Sequence, residues 1–184
     1  MGASAPVVAQ RQSNDRCECH VSISLPSRLA RPVLAVGTDL KNTVCWARRN
    51  RAELCTHNGS LQEPATLRRF HTTVRQILDS DSAYSEQPVI CAHDLHPGFA
   101  STQVAQALGL PAVAVQHHFA HGVACAMDAC VRLPVIAIVC DGAGWGTDGA
   151  IWGGEVLLCR DTTFERVAHL DYFALPGGDA AARH

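Results

Sequence analysis

Residues 1 to about 31 mix Ser, Pro, Arg and Gln without sustained apolar periodicity, which predicts an irregular leader. After Pro32 the pattern tightens. Val33-Leu34-Ala35-Val36-Gly37 is a short buried-strand run, and 43–47 followed by 52–56 across a polar turn predicts a hairpin, so three adjacent antiparallel strands open the folded part. From Pro64 the period lengthens: Leu67, Phe70, Val74, Ile77 and Leu78 fall three or four apart, the spacing of one apolar helix face. Residues 89–92 then read as a strand, 100–109 as a helix closing at Gly109, and 112–115 as another strand, a βαβ rhythm. An Ala-rich stretch from His117 to about Val131 predicts a further helix, and 135–140 is the most strand-like run of the chain. A glycine-rich turn follows. Residues 150–158 and 164–173 read as return strands, and Pro176-Gly177-Gly178 as a loop, giving an α/β fold over 32–184.

With 184 residues, 47% of them hydrophobic and only 17% charged, the chain has enough apolar material for one globular domain. Its 15 Lys and Arg against 17 Asp and Glu leave a net charge of -2, which supplies no positive field for nucleic acid. No window approaches the roughly 18 apolar residues of a membrane span, and the start MGASAPVVAQRQSND lacks a secretory pattern, so a cytoplasmic location is expected. Pro6 stands where a myristoylation signal opened by Gly2 needs Ser or Thr. The nine cysteines are scattered and contain no C-x-x-C pair, which predicts mostly buried thiols. Cys17-Glu18-Cys19-His20 gathers soft ligands, but offers only half of a metal site.

The chemistry concentrates in the second half. His117 and His121 are four apart, so on a helix they share a face and can share a zinc or iron ion, with His118 about 100° round the helix as a supporting or surface residue. Such pairs also occur on solvated helix faces. The strand ending at Cys140 delivers Asp141 to its carboxyl end, the edge where open α/β sheets place ligands, and a carboxylate there completes a His, His, Asp set. From Asp141 to Gly149 four glycines and two acids let backbone N–H groups approach a phosphate while the acids hold a cation. The spacing fits neither a Walker loop nor a dinucleotide fingerprint, and a plain glycine-rich hairpin is the alternative. Gly177-Gly178-Asp179 is a second candidate cradle and Asp39-Leu40-Lys41-Asn42-Thr43 a third, with Lys41 as a charge partner for phosphate. Asp94-Leu95-His96-Pro97 adds an acid and an imidazole in what reads as a turn.

In order, LAVGTDLKNTV, HDLHPGFAST, VQHHFAH, CDGAGWGTDGAIWGGE, FERVAHL and LPGGDAA resemble successive motifs of the HypF carbamoyltransferase domain over about residues 33 to 183. The resemblance implies a ribonuclease-H-like lobe of the actin-like ATPase type, similar to the TsaD subunit of tRNA threonylcarbamoyladenosine synthesis, with two such lobes enclosing the site. It implies that carbamoyl phosphate and ATP yield a carbamoyl-adenylate, whose carbamoyl group passes to the carboxyl-terminal cysteine of HypE on the way to the cyanide ligands of [NiFe]-hydrogenase. His117, His121 and Asp141 are then the metal ligands. Lys41, Asn42, Gly142, Gly144, Gly146, Asp148, Gly177, Gly178 and Asp179 face the nucleotide.

Phe119 departs from the family, which usually has another histidine there. The resemblance also implies that the chain holds the first lobe and stops short of the second, with its further carboxylate ligand. A non-catalytic protein that docks on HypE or on a complementary second lobe, or a degenerate fragment, is the alternative expectation.

Overall fold

The computed structural model describes residues 19–80 and 87–172. The chain divides into two compact units, 1–115 and 116–184. In the first, β1 (Cys19–Ser24), β2 (Val33–Ala35), β3 (Cys45–Arg48), β4 (Arg51–Cys55), β5 (Ile90–Asp94) and β6 (Ala112–Val115) form one sheet in the order β1-β4-β3-β2-β5-β6. Neighbours among β2, β3 and β4 are antiparallel, whereas β5 and β6 join in parallel through crossovers carrying α1 (Pro64–Ser80) and α2 (Ala100–Ala107). Three antiparallel strands followed by βαβ units are therefore present.

The apolar stripe of α1 explains its docking: Phe70, Val74 and Ile77 are buried in one cluster with Leu34, Val36 and Trp46. Each such side chain contributes about 1.5–3 kcal/mol on leaving water. The irregular leader expected over 1–31 is corrected at β1, where Val21 pairs with Leu54 and Ile23 with Ala52. Two apolar residues alternating with serine make too short a pattern to stand out in a polar segment. Residues 1–18 and the side chains of Cys19 and His20 lie outside the described residues.

The second unit consists of α3 (His117–Asp128) and an antiparallel sheet of β7 (Val135–Trp145), β8 (Ile151–Cys159) and β9 (Phe164–His169), in that order. The run that reads as ending at Cys140 continues as strand to Trp145, with a bulge between Cys140 and Gly144. Pairing of Gly144 with Trp152 and Trp145 with Ile151 holds in the ladder glycines whose propensity favours a turn. A smaller core of Trp152, Leu157 and Cys159 is flanked by Phe119, Val123 and Phe164. β7 is an edge strand, and Ile136 and Ile138 on it are 58% and 75% exposed.

Thiol burial is mixed. Cys55, Cys91 and Cys159 are buried, but Cys125, Cys130 and Cys140 are exposed, against the expectation of mostly buried thiols. Burial pushes the Cys45 and Cys91 thiols up to about 11, with Glu53 adding to the rise at Cys45. Among the described residues no helix is long and apolar enough to cross a membrane.

Candidate metal centre

The first turn of α3 and the middle of β7 meet at three side chains. His117 Nε2 lies 2.9 Å from Asp141 Oδ2, His121 Nε2 lies 3.6 Å from the same oxygen, and the two imidazole nitrogens are 3.2 Å apart. The other Asp141 oxygen accepts the Gly142 N–H at 2.7 Å, which fixes the carboxylate with Oδ2 toward the histidines. His117 and Asp141 are partly covered, at 21% and 33% side-chain exposure, and His121 is open at 56%. Three ligand atoms about 2.0–2.1 Å from one tetrahedral ion stand about 3.4 Å apart, and the separations here bracket that distance. Among the described residues these three bring one nitrogen or oxygen each within 4.8 Å of one another. Two imidazoles and a carboxylate fit zinc or iron.

His118, next to the first ligand, is buried outright, with Nδ1 3.2 Å from the Gln116 amide nitrogen and no partner for Nε2 among the described residues. Its burial, then the neighbouring His117, pulls its pKa below the ordinary histidine value. A Cβ at Gly144 would come 2.8 Å from His118 Nδ1 and 3.0 Å from His117 Cβ, so this glycine is required by close approach.

The glycine-rich segment is partly occupied by the fold's own packing. Gly146 is buried, and a Cβ there would strike the Trp152 indole and the Asp148 carboxylate. Asp148 accepts from the Ala150 N–H at 3.0 Å, Trp152 Nε1 at 2.9 Å, Tyr172 OH at 3.1 Å and Arg166 Nη1 at 3.2 Å. These donors, the Ala150 amide foremost, hold its pKa below the usual carboxylate range. Arg166 also meets the buried Glu155 at 2.6 Å and lies 4.1 Å over the Trp152 ring. Gly142 and Gly149, by contrast, have open space where a side chain would project. Reading the sequence as a cradle missed this staple; its available signal was Glu155, an acid set among the apolar positions of a strand.

The remaining candidates lie elsewhere. Lys41 is exposed, with φ 49°. Asn42 is fully buried, donating through Nδ2 to the Val36 and Thr38 carbonyls at 2.8 and 2.7 Å and accepting from Asn58 at 2.8 Å, so its amide ties its own loop together. Asp39 accepts the Ala100 and Ser101 N–H groups at 2.9 and 3.0 Å. Asp94 accepts the His96 N–H at 2.8 Å, the turn chemistry expected there. Gly177, Gly178 and Asp179 lie outside the described residues.

Two family descriptions match the chain: the HypF Kae1-like domain over residues 28–128, and the second subdomain of the carbamoyltransferase Kae1-like domain over 137–184. A carbamoyltransferase HypF homolog of Cupriavidus necator is 46% identical over 156 residues, covering 83% of this chain and 39% of the relative. Carbamoyltransferase HypF of Rhizobium leguminosarum is 40% identical over 151 residues, covering 82% of this chain and 20% of the relative. The chain thus spans well under half the length of these relatives. Among solved structures, full-length HypF in a phosphate- and nucleotide-bound form superposes with a TM-score of 0.79 at 37% identity, covering 88% of this chain and 21% of that one. HypF of T. kodakarensis gives 0.77 at 31% identity, again over 88% and 21%. With α3 and its histidines inside the first family description and Asp141 inside the second, the chain belongs to the HypF family of Kae1-like carbamoyltransferase domains.

Proposed function

We propose that this chain provides the metal-bearing part of a HypF-type carbamoyl-transfer site, and the convergence of His117, His121 and Asp141 carries that reading. The donor set is that of zinc or iron, and when bound such an ion supplies Lewis acidity toward a carbonyl oxygen. The substrate is a carbamoyl-adenylate made from carbamoyl phosphate and ATP, and the acceptor is the carboxyl-terminal cysteine of HypE, for hydrogenase maturation. In the transfer the acceptor sulfur bonds to the carbamoyl carbon as the carbon–oxygen bond to the adenylate phosphate breaks, releasing AMP. His117 and Asp141 hold the polar centre, while Gly122, Ala126 and Val139 line an open, largely apolar groove of about 540 Å³ beside His121. Gly142 and Gly149 leave room above their backbones for a phosphate, with their own N–H groups held by Asp141 and Gly146. The solved relative described as phosphate- and nucleotide-bound supports a nucleotide substrate.

A second reading, docking onto a complementary lobe, is favoured by the exposed isoleucines of the β7 edge. One experimental series tests both. Metal content is measured on the purified chain and on a His117→Ala, His121→Ala double variant matched for folding by circular dichroism. About one zinc or iron per chain, lost in the variant, is expected; equal content in both sinks the ligand assignment. A fragment of a relative carrying its second subdomain is then added with HypE tail peptide, carbamoyl phosphate, ATP and the adenylate-forming module. Transfer only with the fragment supports both readings, and transfer by the chain without it removes the docking requirement.

A further inference from the structure

The candidate metal ligands sit on two elements, His117 and His121 on α3 and Asp141 on β7, so their separation depends on whatever fixes one element against the other. A polar clamp lies immediately beside them. Gln116 is the N-cap of α3 and is 4% exposed. Its Oε1 accepts the Phe119 N–H at 2.8 Å, while its Nε2 donates to the Trp145 carbonyl at 3.3 Å and to His118 Nδ1 at 3.2 Å. The amide has one orientation, because its oxygen faces a backbone N–H and its nitrogen faces a backbone carbonyl, groups whose roles are fixed. One amide hydrogen therefore reaches the last residue of β7, while the other hydrogen and the oxygen hold the side chain to the first turn of α3. The His118 ring fills the space against Gly144, where no Cβ fits. His117 follows the clamp directly, and Asp141 precedes Gly144 by three residues on the bulged stretch of β7.

We propose that Gln116 is a positioning residue for the metal centre, setting the reach of Asp141 toward His117 and His121 without being a ligand. The proposal rests on the reading that these three residues hold a metal. A helix cap alone could use any short polar side chain, and Ser is among the best. Only a side chain as long as Gln spans from the Phe119 amide to the Trp145 carbonyl while also serving His118. Residues that orient ligands from behind typically alter metal affinity about ten- to a hundredfold when removed.

Gln116→Ser separates the two roles, since it keeps a capping oxygen and loses the reach to β7. Zinc titration of the whole chain is compared with Gln116→Ser, together with the visible absorption of the cobalt-substituted forms. The expected result is near-native helicity with a lowered melting temperature, zinc affinity of the folded variant about ten- to a hundredfold weaker, and an altered cobalt spectrum. Wild-type affinity and an unchanged cobalt spectrum in the folded variant overturn the proposal. If Gln116→Ser fails to fold, Gln116→Asn, which keeps the amide one methylene shorter, is judged by the same two readouts. A wild-type chain that takes up no zinc instead defeats the metal reading. The clamp is then judged without metal from imidazole ¹⁵N shifts: displaced His117 signals in the variant support it, and unchanged ones overturn it.

Discussion

Gly144 has no room for a side chain, because the buried His118 ring and the His117 Cβ occupy the position a Cβ would take. Gly144→Ala must push α3 from β7 or twist His118, a shape conflict costing about 1–3 kcal/mol. The expected outcome is a lower midpoint in urea unfolding together with weaker zinc uptake. A variant as stable as wild type with native zinc affinity would show that His118 moves aside freely. The sequence carries this glycine in a string that reads equally as a phosphate cradle, because the need for it comes from side chains more than twenty positions earlier in the chain. The histidine pair was legible, since i,i+4 spacing on a helix fixes a shared face. The Asp148 staple was not: its donors Trp152, Arg166 and Tyr172 come from β8, β9 and the segment beyond, and no local spacing joins them.

Elements show the same division between local and distant causes. The 3–4 spacing of Phe70, Val74 and Ile77 was enough to place α1, whereas β7 runs on through glycines because β8 pairs with it. The short α2 has no cap of its own: Phe99, its N-cap residue, makes no side-chain capping bond. Asp39, from the loop after β2, accepts the Ala100 and Ser101 N–H groups instead, a carboxylate at the positive end of a helix. The sequence suggested a phosphate cradle at 39–43, with the right donor and acceptor types but assigned to a ligand rather than to a helix sixty residues later. Asp39→Ala is expected to cost about 0.5–2 kcal/mol, the range for losing a cap. Asp39→Asn, which keeps an acceptor oxygen, should lose less, and denaturant unfolding of both variants decides whether the cap is what Asp39 supplies.

For the whole molecule, motif order along the chain was sufficient to reach the family, but the division at 115/116 left no trace in composition, since only Gln116 separates β6 from α3. A linker is recognised by its own residues, and here there is none to read. The two units have separate apolar clusters, one around Phe70 and Leu34 and one around Trp152 and Leu157, and the candidate ligands all belong to the second. Metal that binds only the folded second unit stabilises that unit by mass action. Free zinc at a hundred times its dissociation constant is worth about 2.7 kcal/mol, or about a hundredfold slower exchange through whole-unit opening. Hydrogen exchange read by mass spectrometry, with and without zinc, should therefore show added protection across α3 and β7 to β9 and unchanged protection across β2 to β5. Equal protection in both units would mean that they open as one cooperative block. Protection in neither would mean that zinc does not bind the folded second unit, because a ligand held by His117, His121 and Asp141 must favour the state in which α3 lies against β7.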